Sequence, residues 1–545
     1  GIKLPEEIHA SCVAVVLGEA FAGKAPRTDK DDAAAAKLPR VTLAEIEAHS
    51  AFDGATMEGL VGALAGGGDH ARGAAALLAR GGSPAIQALV AGFSRLDDDG
   101  KRLAEGVIDG APCGDQVPFF AARVAALSAV AKPAPAQTPA PGAPPGPRIA
   151  PRSDEDPDRA HARDRLRRCG RASASALADL VRAGTPEVRV LAADELALVA
   201  PAEAVPVLLD ALALASADDG LRRDLRAALA RAAKSPHALG ALRDEVEEAR
   251  FKARPETVAL DLLRAAGPAL GSIDGAAKAF AFLATPQASF RSRYLLQAPA
   301  AALAQSGDAG AEAFLRASLR KDAAPEVRAR AAEVAGKVRA LGDELGAAVD
   351  DPEPRVRKAA IDAAIEALEG GLAAPAGLAA SLTRRLTTDE WTFVRAGAAR
   401  ALGALPAGDI VDGALVKALA DLAPDVRGRA IEALGAHQAT RYADAIRERA
   451  DLADELPEVR ARAIFALASL CDRRSLDDWT KRAERSKAPL DELDRRLGAA
   501  SIAALGRVHP ADLDARLAPL LAKDSPPMVR EMARSALAAE TTCPR

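Results

Sequence analysis

The side chains best able to hold a metal or attack a substrate are seven histidines and five cysteines, and their spacing argues against both roles. Cys12, Cys113, Cys169, Cys471 and Cys543 form no C-x-x-C pair, and the histidines show no ligand spacing. Cys169 follows Arg167 and Arg168, whose charge would lower its pKa. No base or orienting partner stands beside it, so a structural role is expected. A Cys12–Cys113 disulfide is left open should the chain be exported. G-x-x-x-x-G-K-[ST], G-x-S-x-G and H-E-x-x-H are all absent, and Gly66-Gly67-Gly68, with no Lys after it, reads as a turn. No catalytic, metal-binding or cofactor-binding residue is assigned, and no cofactor is expected.

What recurs instead is a charged pair around a valine. The phrase reads P-E-V-R-V-L-A-A-D-E-L at 186–196 and P-E-V-R-A-R-A-A-E-V-A-G at 325–336. It returns at 354–364, 392–403, 424–435, 457–467 and 527–537. The anchors are Val188, Val327, Val356, Val394, Val426, Val459 and Val529, with Leu225, Val258, Phe290 and Leu497 filling the weaker copies. Eleven anchors span 341 residues in ten steps, about 34 residues each, which suits one pair of antiparallel helices. Five residues before the anchor stand Asp322, Asp351, Asp389, Asp421, Asp454 and Asp524. Directly after it stand Arg328, Arg357, Arg395, Arg427, Arg460 and Arg530. Stacked repeats would turn these into a ladder, each Arg reaching an Asp of its own or the adjacent repeat.

The elements that position them follow from the apolar pattern. The anchor and the fourth, fifth and eighth residues after it are mostly apolar, as with Val459, Ala463, Ile464 and Leu467, which is the stripe of an amphipathic helix. Proline two residues before the anchor sits in the first turn, where a missing N–H costs nothing. Hydrophobic residues make up 49% of the chain but aromatics only 3%, so Ala and Leu supply the core, which favours close-packed helices over strands.

Asp, then Val-Arg five and six residues on, then Ala and Ala-Leu resembles the second helix of a HEAT repeat over residues 160–540. The short copies with Gly endings are most similar to the subgroup named after phycobilisome lyases. The resemblance implies an all-α fold: an α-solenoid of about eleven HEAT-like helix pairs in a right-handed superhelix, preceded by a smaller helical N-terminal unit. It also implies a concave wall of second helices that binds a protein partner or joins a larger complex. Some relatives of this kind are iron enzymes with His-Glu pairs, but no His here is followed by Glu. Others handle damaged DNA bases with clustered aromatics, whereas Trp391, Trp479, Tyr294 and Tyr442 are dispersed, which argues against nucleic acid. A bilin-lyase-like, chromophore-handling role is the alternative, and would show a pocket lined by aromatics with His or Cys.

The expected wall is lined by residues free of the core stripe. Those singled out for a partner are Arg330, Glu333, Arg400, Arg429, Glu432, Arg462 and Phe465, the last a large apolar residue in a slot otherwise held by charges or small groups. Pairs such as Arg330–Glu333 are also ordinary helix-surface neighbours. Residues 132–153 form a Pro/Ala-rich linker between a helical N-terminal unit, 1–131, and the solenoid, 154–545. In the first unit, 55–130 reads as two degenerate repeats, ending in a helix from Val117 to Ala131. Charge is balanced, 72 basic against 76 acidic residues, and no apolar run reaches the ~20 residues of a membrane span. The chain begins at Gly1, which fits removal of either a signal peptide or a tag, so cytoplasmic and exported (periplasmic) locations both stay open.

Overall fold

The computed structural model describes residues 54–65, 68–126, 157–215, 219–540 and 543. Among these, every regular element is helical: 29 α-helices, several short 3-10 turns and no strand. The expected linker at 132–153 and Cys12 lie outside the described residues. Backbone contacts divide the chain into two compact units, one of residues 1–245 with 253–265 and one of 246–252 with 266–545.

The first unit begins with α1 (Gly54–Gly62), α2 (Gly68–Leu78), α3 (Gly82–Gly92), α4 (Asp98–Gly110) and α5 (Cys113–Ala126). Each of α1, α2 and α3 packs on the helix two further along, so this stretch already has the habit of stacked pairs. The last helix starts at Cys113, four residues before the expected Val117, and buries Phe119 and Phe120. Then come α6 (Pro157–Arg168), α7 (Ala174–Ala183), α8 (Pro186–Val199), α9 (Pro201–Leu214) and α10 (Asp219–Ala233). Around the division lie α11 (Leu239–Val246), the short α12 (Glu248–Ala253) and α13 (Glu256–Ala266).

The second unit continues with α14 (Ala276–Leu283), α15 (Phe290–Gln305), α16 (Ala309–Lys321), α17 (Pro325–Ala335), α18 (Gly342–Ala348), α19 (Pro354–Glu369), α20 (Leu378–Thr388) and α21 (Thr392–Gly403). It ends with α22 (Asp409–Ala418), α23 (Pro424–Ala436), α24 (Ala443–Asp451), α25 (Pro457–Ser469), α26 (Leu476–Arg485), α27 (Glu492–Val508), α28 (Leu513–Leu521) and α29 (Pro527–Leu537). In chain order α7 to α29 read as eleven pairs, with α12 as an insert. The fold is therefore an all-α solenoid.

The odd-numbered helices α15 to α29 each pack on the next odd one. They carry the anchors, and the reason they form is local. Proline opens α17, α19, α23, α25 and α29 at the first helical positions. Alanine-rich sequence then propagates the helix. The stripe goes inward: Val459 is 2% exposed, and Ala463, Ile464 and Leu467 are 0% exposed.

Close approach of these helices depends on their terminal glycines. A Cβ on Gly403 would lie 2.9 Å from Ala433 Cβ, and one on Gly506 would lie 2.8 Å from Ala536 Cα. Both contacts fall on an Ala of the next odd-numbered helix, so the Gly endings of the repeat are packing positions. Gly403→Ala is therefore expected to cost about 1–3 kcal/mol through overpacking. Gly413→Ala, in α22 with nothing within 4 Å of its Cβ, should gain about 0.5–1 kcal/mol from helix propensity. Urea unfolding of the two variants measures the contrast, and a shift of the same sign in both would contradict it.

One anchor differs from the sequence reading. Phe290 is 50% exposed, while Ser292, Leu296, Gln297 and Ala300 form the buried stripe of α15. The true anchor is Ser292, held by the N-cap Ser289, whose hydroxyl accepts the Ser292 N–H at 3.1 Å. A polar residue in the anchor slot hides the register, because apolar periodicity alone prefers Phe.

Candidate partner-binding face

The repeated charges form rungs between successive pairs. Arg293 donates to Asp322 at 2.7 Å, Arg328 to Asp351 at 2.8 Å and Arg395 to Asp421 at 2.8 Å. Arg357 lies 2.7 Å from Asp389, and Arg427 donates to Glu455 at 2.6 Å. Each guanidinium also donates to carbonyls in the turn of its own pair: Arg328 to Asp322 O at 2.9 Å, Arg395 to Asp389 O at 2.9 Å and Arg427 to Asp421 O at 2.7 Å. Each carboxylate in turn accepts a backbone N–H of its own turn, as Asp351 does from Glu353 at 2.8 Å and Asp421 from Ala423 at 2.8 Å. The planar fork of Arg thus fixes one turn against the next and sets the spacing of the odd-numbered helices.

Four of the expected ladder residues do not fit this pattern. Asp454 is exposed, and the buried Glu455 beside it takes the rung. The longer Glu side chain reaches Arg427 from one position later. Arg460 donates instead to Ala450 O at 3.0 Å. The next pair carries Gly498 where a ladder Arg would stand, and its first-turn Glu492 pairs with Arg495 at 2.9 Å. Asp524 is exposed, 3.4 Å from Lys487. Arg530, in the last helix pair, donates to the carbonyls of Lys523 at 2.8 Å and Ser525 at 2.5 Å.

Electrostatics follow the contacts. Burial is the largest single influence and works to raise the pKa values of Asp389, Asp421 and Glu455, but hydrogen bonds from Arg357, Arg395 and Arg427, backbone N–H bonds and the attraction of the guanidinium charges together outweigh it and hold all three below the ordinary carboxylate range. Arg460 is lowered by burial and by nearby Arg482. Carboxyl pKa values depressed on folding add stability that is complete above the unfolded value of about 4 and lost as pH falls through the folded values. Thermal melts are expected to hold their midpoint from these groups down to about pH 5 and to fall below about pH 4. A loss already complete at pH 5 would assign acid sensitivity to other groups.

The residues singled out for a partner lie on the exposed side of the odd-numbered helices, and the structure ties most of them together. Arg330 pairs with Glu333 at 2.6 Å in α17, and Arg400 of α21 with Glu369 of α19 at 3.2 Å. Arg429 reaches Glu432 at 3.0 Å and Asp425 at 3.8 Å, while Arg462 from α25 reaches Glu432 at 3.3 Å and Asp425 at 3.7 Å. Two arginines therefore share two carboxylates across α23 and α25. Arg462 lies against Gly428, where a Cβ would come 2.6 Å from its guanidinium. Phe465, one turn further on, is 47% exposed.

The deeper feature of this face was not legible from the repeats. A groove of about 420 Å³ lies between α15, α17 and α19, with Phe290 and Tyr294 on one side and Arg330, Glu333 and Arg355 on the other. The two rings stack with centroids 6.3 Å apart at 27°, and Tyr294 is 38% exposed. Reading Phe290 as core concealed it. The signal that could have found it is Arg293, which is a ladder Arg only if the anchor is Ser292. Trp391 is half-exposed, with its ring 5.5 Å from Phe393 and its backbone N–H donating to Asp389 at 3.0 Å.

The cysteines also differ from the reading. Cys113 is bonded to Cys169, not Cys12, and Cys471 is bonded to Cys543. Sequence spacing cannot show which cysteines meet, since that depends on how α5 packs on α6. Among the described residues no helix is long and apolar enough to cross a membrane, and no cluster of His, Cys, Asp and Glu could hold a metal ion.

Comparison with known proteins places part of this array. None of the curated proteins matches the chain. Among solved structures, Kap121p is 14% identical with a TM-score of 0.39, the match covering 98% of this chain and 57% of that one. A Kap121p mutant reaches a TM-score of 0.44 at 14% identity with the same coverage, and Kap121p bound to Pho4p 0.41 at 12% identity, over 97% and 56%. The chain thus spans less than two thirds of Kap121p, and a likeness at this level carries no argument about partner or activity. Residues 312–403 match the family of HEAT repeats. That span runs from within α16 to the last residue of α21, three stacked helix pairs joined by ladder rungs, and these pairs are HEAT repeats.

Proposed function

We propose that the chain is a non-catalytic protein-binding scaffold, one component of a larger assembly, that docks an extended protein segment along the exposed side of the odd-numbered helices of its second unit. The observation that carries this reading is the groove between α15, α17 and α19. Two stacked, half-exposed aromatic rings beside arginines have the composition of interface anchors, and stacked rings are held ready without further ordering. Phe465, next to the Arg429–Arg462 network, supplies a second anchor point on the same set of helices. The chromophore-handling alternative has less support. The groove lining contains neither His nor Cys, and four cysteines are held in disulfides, so their thiols are not offered to a chromophore.

The test is recovery of the partner from the chain's own host by two double variants. Tyr294→Ala with Arg330→Glu is expected to keep its helical circular dichroism and weaken partner binding by at least about 30-fold, the scale of a hot-spot loss. Phe465→Ala with Arg462→Glu should weaken it less. Undiminished recovery by both variants would move the site off this face.

A further inference from the structure

We propose that this chain folds in an oxidising compartment, where the Cys113–Cys169 disulfide ties α5 to the end of α6 and the Cys471–Cys543 disulfide clamps α26 to α29. The two pairs have Cα atoms 5.4 and 5.5 Å apart, a separation that lets the bridge form without moving the backbone. They close loops of sequence separation 56 and 72. Two such bridges taking four of five cysteines are a device of oxidising surroundings, because thiol pools in reducing compartments undo them.

Each bridge joins two segments that are distant in sequence. Cys113 opens α5 and Cys169 follows α6, so the bond spans the Pro/Ala-rich stretch that separates these helices in sequence. The two helices pack on each other, with Arg123 of α5 reaching Asp158 of α6 at 2.8 Å and the Phe120 and His161 rings edge to face at 5.6 Å, so the bond secures a contact that side chains also make. The second loop encloses α26 to α29, the last two helix pairs. Within it α29 buries only Val529, Ala533 and Ala536, whereas α25 buries seven residues, so α29 is held by less packing. Cys471 itself holds a left-handed backbone, φ 57°, directly beyond α25, and the 6%-exposed Cys543 meets it there. Formation of each bridge removes two protons and two electrons from a thiol pair. An external disulfide, on an oxidoreductase or a small thiol carrier, accepts them and leaves as two thiols.

The test uses the full chain isolated from its own host with acid quenching, then unfolded and alkylated with N-ethylmaleimide. At most one adduct per chain, on Cys12, is expected before reduction and five after it. Proteolysis between residues 127 and 156 should leave one band on a non-reducing gel and two on a reducing gel. In the Cys471→Ser, Cys543→Ser double variant, amide exchange across α26 to α29 should rise by about tenfold or more while α19 to α23 stay protected. Five adducts before reduction would overturn the compartment. Unchanged exchange in the variant would overturn the clamp, and if that variant fails to fold, the same exchange comparison on reduced wild-type chain decides it.

Discussion

Asp389→Ala is expected to destabilise the second unit by about 3–5 kcal/mol, the cost of leaving a buried arginine without its carboxylate. Asp389 is the most enclosed rung, its side chain fully buried and that of Arg357 8% exposed. The carboxylate also accepts the Trp391 backbone N–H, so its loss strands that donor together with Arg357, while Arg385, 3.5 Å away, keeps Asp350 at 2.7 Å. Replacing both partners by apolar residues of similar volume should cost far less, because no charge is left uncompensated. Urea unfolding followed by hydrogen exchange in α20 and α21 measures both. A loss below about 1 kcal/mol for the single variant would mean that water reaches Arg357 in its place.

Glu455→Ala should cost about 2–4 kcal/mol, somewhat less than Asp389→Ala because Arg427 is the more exposed partner, at 14%. Asp454→Ala, one residue earlier, should fall within about 0.5 kcal/mol of wild type, as surface substitutions do. The repeat pattern alone expects the reverse order, with the cost at Asp454. Parallel urea melts of the two variants decide between them, and a larger shift for Asp454→Ala would mean that the Arg427–Glu455 contact is not formed in solution.

That reversal shows how far the repeat can be read. The Val-Arg phrase gave the helix class, the period and the rungs ending on Asp351, Asp389 and Asp421, because apolar spacing and a five-residue offset are local properties of one chain segment. It failed where two arrangements satisfy the same spacing. Asp454 and Glu455 are adjacent acids, and choosing between them requires the path of the turn. Ser292 and Phe290 both sit near the start of α15, and choosing between them requires knowing which side meets α17.

By itself, then, the sequence determined that this protein is an all-helical array of short pairs with a repeated Asp–Arg signature and no recognisable catalytic constellation. Amphipathic periodicity, proline at helix starts and alanine-rich helices act within one repeat, so they are written in each copy. Tertiary structure alone decided which cysteines pair, that Arg429 and Arg462 share Asp425 and Glu432, and that Phe290 and Tyr294 wall a groove with Arg330. Each of these joins residues from different helices. Their meeting depends on the angle and spacing at which one pair stacks on the next, set by contacts such as Gly403 against Ala433, and no single repeat encodes that.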